Sequence, residues 1–285
     1  MYNVRAKARA LVCVFRKWNA SFVELSPDTM LKRIARFFQG LGSPVRRQEM
    51  RFSLLRRIGR RLAPSYRFHW PEMTWWEEPG FNRYLERFHE SAGLNTQRRW
   101  MVYQLARLVL SLPGDTAECG VFEGATSYLI CRSLQGGSNP PRTHFLFDSF
   151  QGLSAPSPQD GSYWTKGGLA ASLEAARANL ESAGRLSWHP GWIPERFPEV
   201  AERRFSFVHI DVDLYQPTRD SLAFFYPRMQ EGGIIVCDDY GFTTCPGATL
   251  AVDEFLAGKP EKIIVLPCGG GFLIKGCHTA VPLPL

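Results

Sequence analysis

From Asp115 to Lys275, apolar runs of strand length alternate with segments of helix length, and this alternation restricts the chain more than any other feature. Strands are expected at Thr116–Val121, His144–Asp148, Leu186–His189, Phe205–Asp211, Gly233–Asp238, Ile263–Leu266 and Phe272–Lys275. Helices are expected between them near Thr126–Leu134, Leu169–Ala183, Thr218–Met229 and Ala248–Leu256. A strand that returns to the same sheet through a helix runs parallel to its predecessor, so the pattern predicts a doubly wound α/β fold. The last two strands are joined only by Pro267-Cys268-Gly269-Gly270-Gly271, too short for a helical crossover, and should form an antiparallel hairpin.

Seven strands, mostly parallel and closed by a terminal hairpin, give the Rossmann-like layout of class I methyltransferases rather than that of a nicotinamide-binding domain. At 285 residues the chain can bury one large α/β core with an appended region. We expect a basic helical extension over residues 1–70 and a catalytic domain over residues 71–285 that begins with helices able to form a lid. The net charge of +7 supports this division, because residues 1–70 hold 16 of the 34 Lys and Arg against Glu24, Asp28 and Glu49. The remainder therefore has 18 basic and 24 acidic residues, a balance of −6.

An acidic body argues against a nucleic-acid partner, which only the basic arm would favour. The seven cysteines form no C-x-x-C pair, and Cys119, Cys131 and Cys237 lie in apolar runs, as expected of reduced thiols in a cytoplasmic protein. No apolar run reaches membrane-spanning length, and Arg16-Lys17 interrupts Ala10–Phe15 too early for a secretion signal. Within the extension, Met30–Phe38 reads as a short amphipathic helix behind Asp28 and Thr29, interrupted later by Gly40, Gly42 and Pro44. Such a helix can touch an anionic membrane surface or serve as a solvated packing arm. The aromatic stretch Trp70–Trp76 precedes expected helices at Phe81–His89 and Thr96–Leu112, and either covers a site or docks on the core.

The first strand leads into Glu118-Cys119-Gly120-Val121-Phe122-Glu123-Gly124, an acid and two glycines at a strand-to-helix turn. Gly120 and Gly124 would let backbone approach a ligand, or serve tight packing alone. The spacing is not G-x-G-x-x-G, which speaks against a pyrophosphate and hence against a nicotinamide-dependent oxidoreductase. An acid beside such a turn suits a zwitterionic amino-acid moiety and a sulfonium. The second strand ends at Asp148, whose carboxylate could accept both hydroxyls of a ribose.

Two later strands end in acids: Asp211-Val212-Asp213 and Asp238-Asp239-Tyr240. If these strands are neighbours, Asp211, Asp238 and Asp239 meet at the carboxyl edge of the sheet, where α/β proteins bind ligands. Three close carboxylates repel, and a hard divalent cation such as Mg²⁺ resolves that repulsion. The alternative is that single acids cap the following helix or pair with Arg219 or Arg228. His209 lies in mid-strand and reads as a core residue, and the other histidines have no zinc-ligand spacing.

Taken in order, Glu118-Cys119-Gly120-Val121, Asp148-Ser149-Phe150-Gln151-Gly152-Leu153, Gly191-Trp192, Asp211-Val212-Asp213-Leu214-Tyr215, Tyr226-Pro227, Gly232-Gly233, Asp238-Asp239-Tyr240 and Ala251-Val252-Asp253-Glu254-Phe255 resemble the macrocin O-methyltransferase family. The resemblance spans about Asn95 to Leu266. It implies an enzyme dependent on S-adenosylmethionine (SAM) and Mg²⁺ that methylates a hydroxyl of a sugar or another small metabolite. It further implies that Asp211, Asp238 and Asp239 hold the metal and that Glu118, Gly120, Asp148 and Ser149 line the SAM site. The loop from Ser154 to Lys166 lacks the histidine expected of the macrolide enzymes, which leaves Asp213 or Lys166 to take the proton.

Overall fold

The computed structural model describes residues 44–64, 73–90, 95–135 and 141–278. The chain forms two compact units, Met1–Glu77 and Glu78–Leu285. In the first, α1 (Pro44–Leu62) is a single 19-residue helix. The sequence pattern made Pro44 an interruption, whereas it is the first residue of the helix, where proline's missing N–H has no intrahelical partner to lose. The helix leaves Leu54, Leu55, Ile58 and Leu62 exposed beside its arginines. A short 3₁₀ turn, Thr74–Glu77, stacks Trp75 on Trp76 with ring centroids 4.7 Å apart. The helix expected at Met30–Phe38 and the aromatic Trp70 lie outside the described residues. No helix among the described residues is long and apolar enough to cross a membrane.

The second unit carries α2 (Pro79–Arg87), α3 (Thr96–Leu108), α4 (Ala125–Ser133), α5 (Leu173–Leu180), α6 (Tyr215–Phe225) and α7 (Pro246–Leu256). Its strands are β1 (Asp115–Cys119), β2 (His144–Asp148), β3 (Leu186–Pro190), β4 (Phe205–Ile210), β5 (Met229–Cys237), β6 (Ile264–Val265) and β7 (Gly271–Ile274). They form one sheet in the order β3-β2-β1-β4-β5-β7-β6. The first five run parallel, and β7 pairs antiparallel with both β5 and β6, so the expected hairpin is present. Expected helices are trimmed at Leu108, at Phe225 and at Leu173, where Ser172 accepts the N–H of Ala175 and fixes the start of α5.

Every residue of β4 is buried, as befits a central strand covered on both faces. On one face Phe145, Phe147, Phe197, Phe205 and Phe225 pack edge to face on one another, in a cluster that includes Val252 and Leu256 of α7. On the other, Leu146 meets Leu180 and Ala183 around α5. Truncating one such phenylalanine to alanine costs about 3–5 kcal/mol. This rigid platform sets the level at which the strands end. Phe147 pairs with Cys119, Cys119 with Ile210, and Ile210 with Cys237, so Asp148, Gly120, Asp211 and Asp238 come next in a single row.

Candidate active site

That row is closed by backbone hydrogen bonds: Gly120 N donates to Phe147 O, Asp211 N to Cys119 O and Asp238 N to Ile210 O, each at 2.9 Å. Gly120 is required there by packing. A Cβ would lie 1.7 Å from the Asp211 carbonyl oxygen, and its φ is +85°. Gly124, at the start of α4, likewise faces Leu180, which a Cβ would approach to 2.9 Å. Of the two readings of the glycine turn, tight packing of the chain on itself accounts for both residues.

Asp148 holds the same turn from the side. Its Oδ2 accepts Val121 N at 2.8 Å and Phe122 N at 2.9 Å, and Oδ1 accepts Phe150 N at 2.7 Å. A carboxylate has about four acceptor positions, so one remains, enough for one ribose hydroxyl rather than two. Ser149 bonds within its own turn, to Gly152 O and from Gln151 N. Phe122, Phe150 and Asp213 all have positive φ, at 50°, 54° and 60°. Three strained non-glycine residues at the carboxyl ends of β1, β2 and β4 mark this edge as the place where geometry is held for function.

Glu118 points into the protein. It is 1% exposed, takes a short hydrogen bond from Ser127 Oγ, and lies 3.0 Å from His209 Nδ1. The other side of that imidazole, Nε2, is 3.5 Å from Asp238 Oδ1. His209 is thus a core residue in position, as expected, but one clamped between two buried carboxylates. Burial works against its charge, and Asp238 and Glu118 outweigh burial to push its pKa up to about 10. The register of β1, β4 and β5, with the alternation of side chains along each, places Glu118, His209 and Asp238 on one face. Arg98 on α3 completes this set with an ion pair to Asp238 Oδ2, and nothing in the sequence pointed to it. Arg219 and Arg228, the partners considered from sequence, do not pair with these aspartates; Arg228 bonds Ala201 O and Phe224 O.

The remaining acids gather around Cys245. Asp239 Oδ2 accepts Val212 N at 3.0 Å and Asp213 N at 2.7 Å, and Cys245 Sγ lies 3.5 Å from Asp213 Oδ1 and 3.9 Å from Asp239 Oδ1. No helix start among the described residues uses these acids as caps: Leu214 and Cys245 occupy those positions. Burial, then repulsion from Asp238, raises Asp211 to about 7. Burial also raises Asp213, to about 6, and Asp239 well above the ordinary carboxylate range. Two ligand-like groups result, His209 with Asp211 and Asp238, and Asp213 with Asp239 and Cys245. The carboxylates of Asp211, Asp213 and Asp239, which pair with no arginine or lysine among the described residues, together with Asp238 fit a hard divalent cation.

Lys166 is exposed and forms no ion pair with this cluster. Two residues of its loop do reach the site: Trp164, whose indole N–H donates to Cys245 Sγ, and Asp160, 2% exposed, which accepts Tyr215 N at 2.6 Å and both the N–H and hydroxyl of Ser157. Gly247, whose Cβ would lie 2.0 Å from Asp160 Oδ1, leaves the room. The cysteines among the described residues are free thiols, with Cys119, Cys237 and Cys245 buried.

Residues 102–263 match the family described as Macrocin-O-methyltransferase (TylF), over half of the chain. The chain belongs to this family. A tetracenomycin 4′-O-methyltransferase of Streptomyces olivaceus, acting on a 2,3-dimethoxy-rhamnosyl compound by its name, is 31% identical over 48% of this chain and 57% of its own length. Demethyldecarbamoylnovobiocin O-methyltransferase of Streptomyces niveus is 31% identical over 52% of this chain and 60% of its own. The chain therefore spans somewhat over half the length of these relatives. Among solved structures, the O-methyltransferase NovP is 27% identical with a TM-score of 0.52, over 63% of this chain and 80% of that one. A calicheamicin methyltransferase is 21% identical with a TM-score of 0.57, over 90% and 96%, and shows the same fold. The class I methyltransferase sheet expected from the strand pattern of this family member is the one observed.

Proposed function

We propose that this macrocin-family protein is a SAM-dependent O-methyltransferase that acts on a hydroxyl of a sugar or similar small acceptor with the help of a divalent cation, Mg²⁺ first. The observation that carries this reading is the row Asp148–Gly120–Asp211–Asp238 with Asp213 and Asp239 beside it: a glycine turn and an acid cluster on one sheet edge. Family membership and the rhamnosyl substrate in the name of the tetracenomycin relative support it.

When bound, SAM supplies an electrophilic methyl on a sulfonium, and the cation, held by Asp211, Asp238 and Asp239, supplies Lewis-acid stabilisation of an acceptor oxygen. The spare acceptor position of Asp148 would hold a ribose hydroxyl, with Gly120, Gly124 and Ser149 setting the backbone beside it. Asp213 takes the acceptor's proton: raised to about 6 by burial, it is mostly ionised near neutrality yet basic enough to share the proton in the transition state. With both groups bound, the chemistry supplied would be transfer of the sulfonium methyl to that oxygen, with S-adenosylhomocysteine as the departing group and Asp213 holding the proton. Lys166 is the weaker candidate for the base because it is exposed and apart from the cluster.

The test is calorimetric titration with S-adenosylhomocysteine with and without Mg²⁺, followed by transfer of labelled methyl from SAM to a panel of glycosides. Binding in the micromolar range is expected, and transfer that chelation abolishes. Asp213→Asn should keep S-adenosylhomocysteine binding and lose turnover by roughly 10²–10⁴-fold. A protein that fails to bind S-adenosylhomocysteine under either condition would sink the reading.

A further inference from the structure

The guanidinium of Arg98 occupies a slot built to hold it. Nη2 donates to Asn95 Oδ1 at 2.6 Å, and the Phe242 ring lies 5.0 Å from Cζ. Nη1 donates to Asp238 Oδ2 and reaches the Asp238 carbonyl oxygen at 3.5 Å. Phe242 is itself fixed by Gly269, where a Cβ would stand 2.1 Å from the ring. The Arg98 side chain is only 18% exposed. Among the described residues, Asp211, Asp213 and Asp239 form no ion pair with an arginine or lysine, so Asp238 alone of the four has one.

Arginine cannot discharge itself at any working pH. A fixed positive charge therefore stands against one carboxylate of a set that fits a divalent cation, and it already uses acceptor capacity of Oδ2. In a partly desolvated site, a neighbouring positive charge weakens binding of an incoming cation. We propose that Arg98 is a built-in counter-cation: it balances the acid cluster while no metal is held, and it competes with the metal for Asp238, setting how tightly the ion binds. This inference rests on the reading of Asp211, Asp238 and Asp239 as metal ligands. If Arg98 served instead to aim Asp238 at the metal, as partners of ligands often do, its loss would weaken binding. The two roles thus predict opposite signs.

The experiment is calorimetric titration of the full chain with Mn²⁺, alongside thermal unfolding in chelator, for wild type, Arg98→Gln, Arg98→Lys and Phe242→Leu. Arg98→Gln should bind Mn²⁺ about tenfold or more tightly than wild type and melt lower in chelator, with the deficit recovered by Mn²⁺. Arg98→Lys, which keeps the charge, should stay near wild type. Phe242→Leu, which loosens the slot, should fall between. Affinity in Arg98→Gln that is unchanged or weaker overturns the proposal. Should that variant not fold in chelator or in Mn²⁺, the decision passes to Phe242→Leu, and unchanged affinity there overturns it. A wild type that binds no Mn²⁺ at millimolar concentration fails the metal reading itself, whereas a wild type that binds it, without tightening in the variants, fails this inference alone.

Discussion

Asp238 and Asp239 are neighbours in the chain and opposites in the fold. Asp238 lies 2% exposed between Arg98 and His209, and those two cations hold its carboxyl well below the usual range in spite of burial. Asp239, 6% exposed, is placed among Asp211, Asp213 and Asp238 with backbone N–H groups and a thiol for company, and burial and repulsion drive it up. One acid belongs to a neutralised network that ties three strands and α3 together, and the other to an uncompensated one. A bound cation would therefore change the second far more than the first.

The contrast is tested most strongly by removing each acid in chelator. Asp238→Ala strands His209 and Arg98 as buried cations without their partner, and breaking a buried pair in this way costs about 3–5 kcal/mol. Asp239→Asn removes a like charge and keeps an acceptor for the N–H groups of Val212 and Asp213, so the metal-free protein should be as stable as wild type or more so. Urea unfolding of both variants decides the matter. If Asp239→Asn is the more damaging of the two, the division into compensated and uncompensated halves is wrong.

A smaller effect concerns pH. Asp211 and Asp213 have folded pKa values of about 7 and about 6 against an ordinary 3.8. Between those values the folded chain binds more protons than the unfolded one, so these acids make stability fall as pH rises through the window. His144, kept neutral by burial with a pKa lowered from 6.5 to about 3, acts in the opposite direction: its contribution is complete above 6.5 and is lost as pH falls toward 3. The useful quantity is therefore the difference between wild type and Asp213→Asn. In chelator that variant should gain about 1–3 kcal/mol on wild type between mildly acidic and neutral pH, and Mg²⁺ should shrink the gain. A constant difference across pH would show that Asp213 is not under strain from its neighbours.

The strand pattern made the sheet legible because a parallel strand buried on both faces is mostly apolar, and β4 is so from Phe205 to Ile210 apart from Ser206 and His209. It also placed Asp211, Asp238 and Asp239 at one edge, since acids that follow such runs have only the carboxyl end to occupy. What stayed hidden depended on register and on distance in sequence. The fine pairing of Glu118 with His209 gives the histidine its role, and no local pattern fixes that pairing. Arg98 lies 140 residues from Asp238 on a helix whose basic face looks like any solvated one. The two glycines have a second reason that the sequence did not show: the close contacts that their missing Cβ allows are with Asp211 and Leu180.

The mildest perturbation lies within the uncompensated half. Cys245 receives the indole N–H of Trp164 at 3.3 Å and points its thiol at Asp213 Oδ1. A thiol is a weak donor, so Cys245→Ala should cost about 1 kcal/mol or less. That weak bond nonetheless favours the ionised form of Asp213, opposing the burial that raises it. Its loss should move the acidic limb of the pH dependence of kcat/KM upward by a few tenths of a unit, in proportion to so weak a bond. Cys245→Ser, which keeps a donor in place, should leave that limb near its wild-type position. A limb that stays fixed in Cys245→Ala would separate Asp213 from proton removal even if its substitution abolishes turnover. The thiol then bears directly on which carboxylate of the cluster is the base.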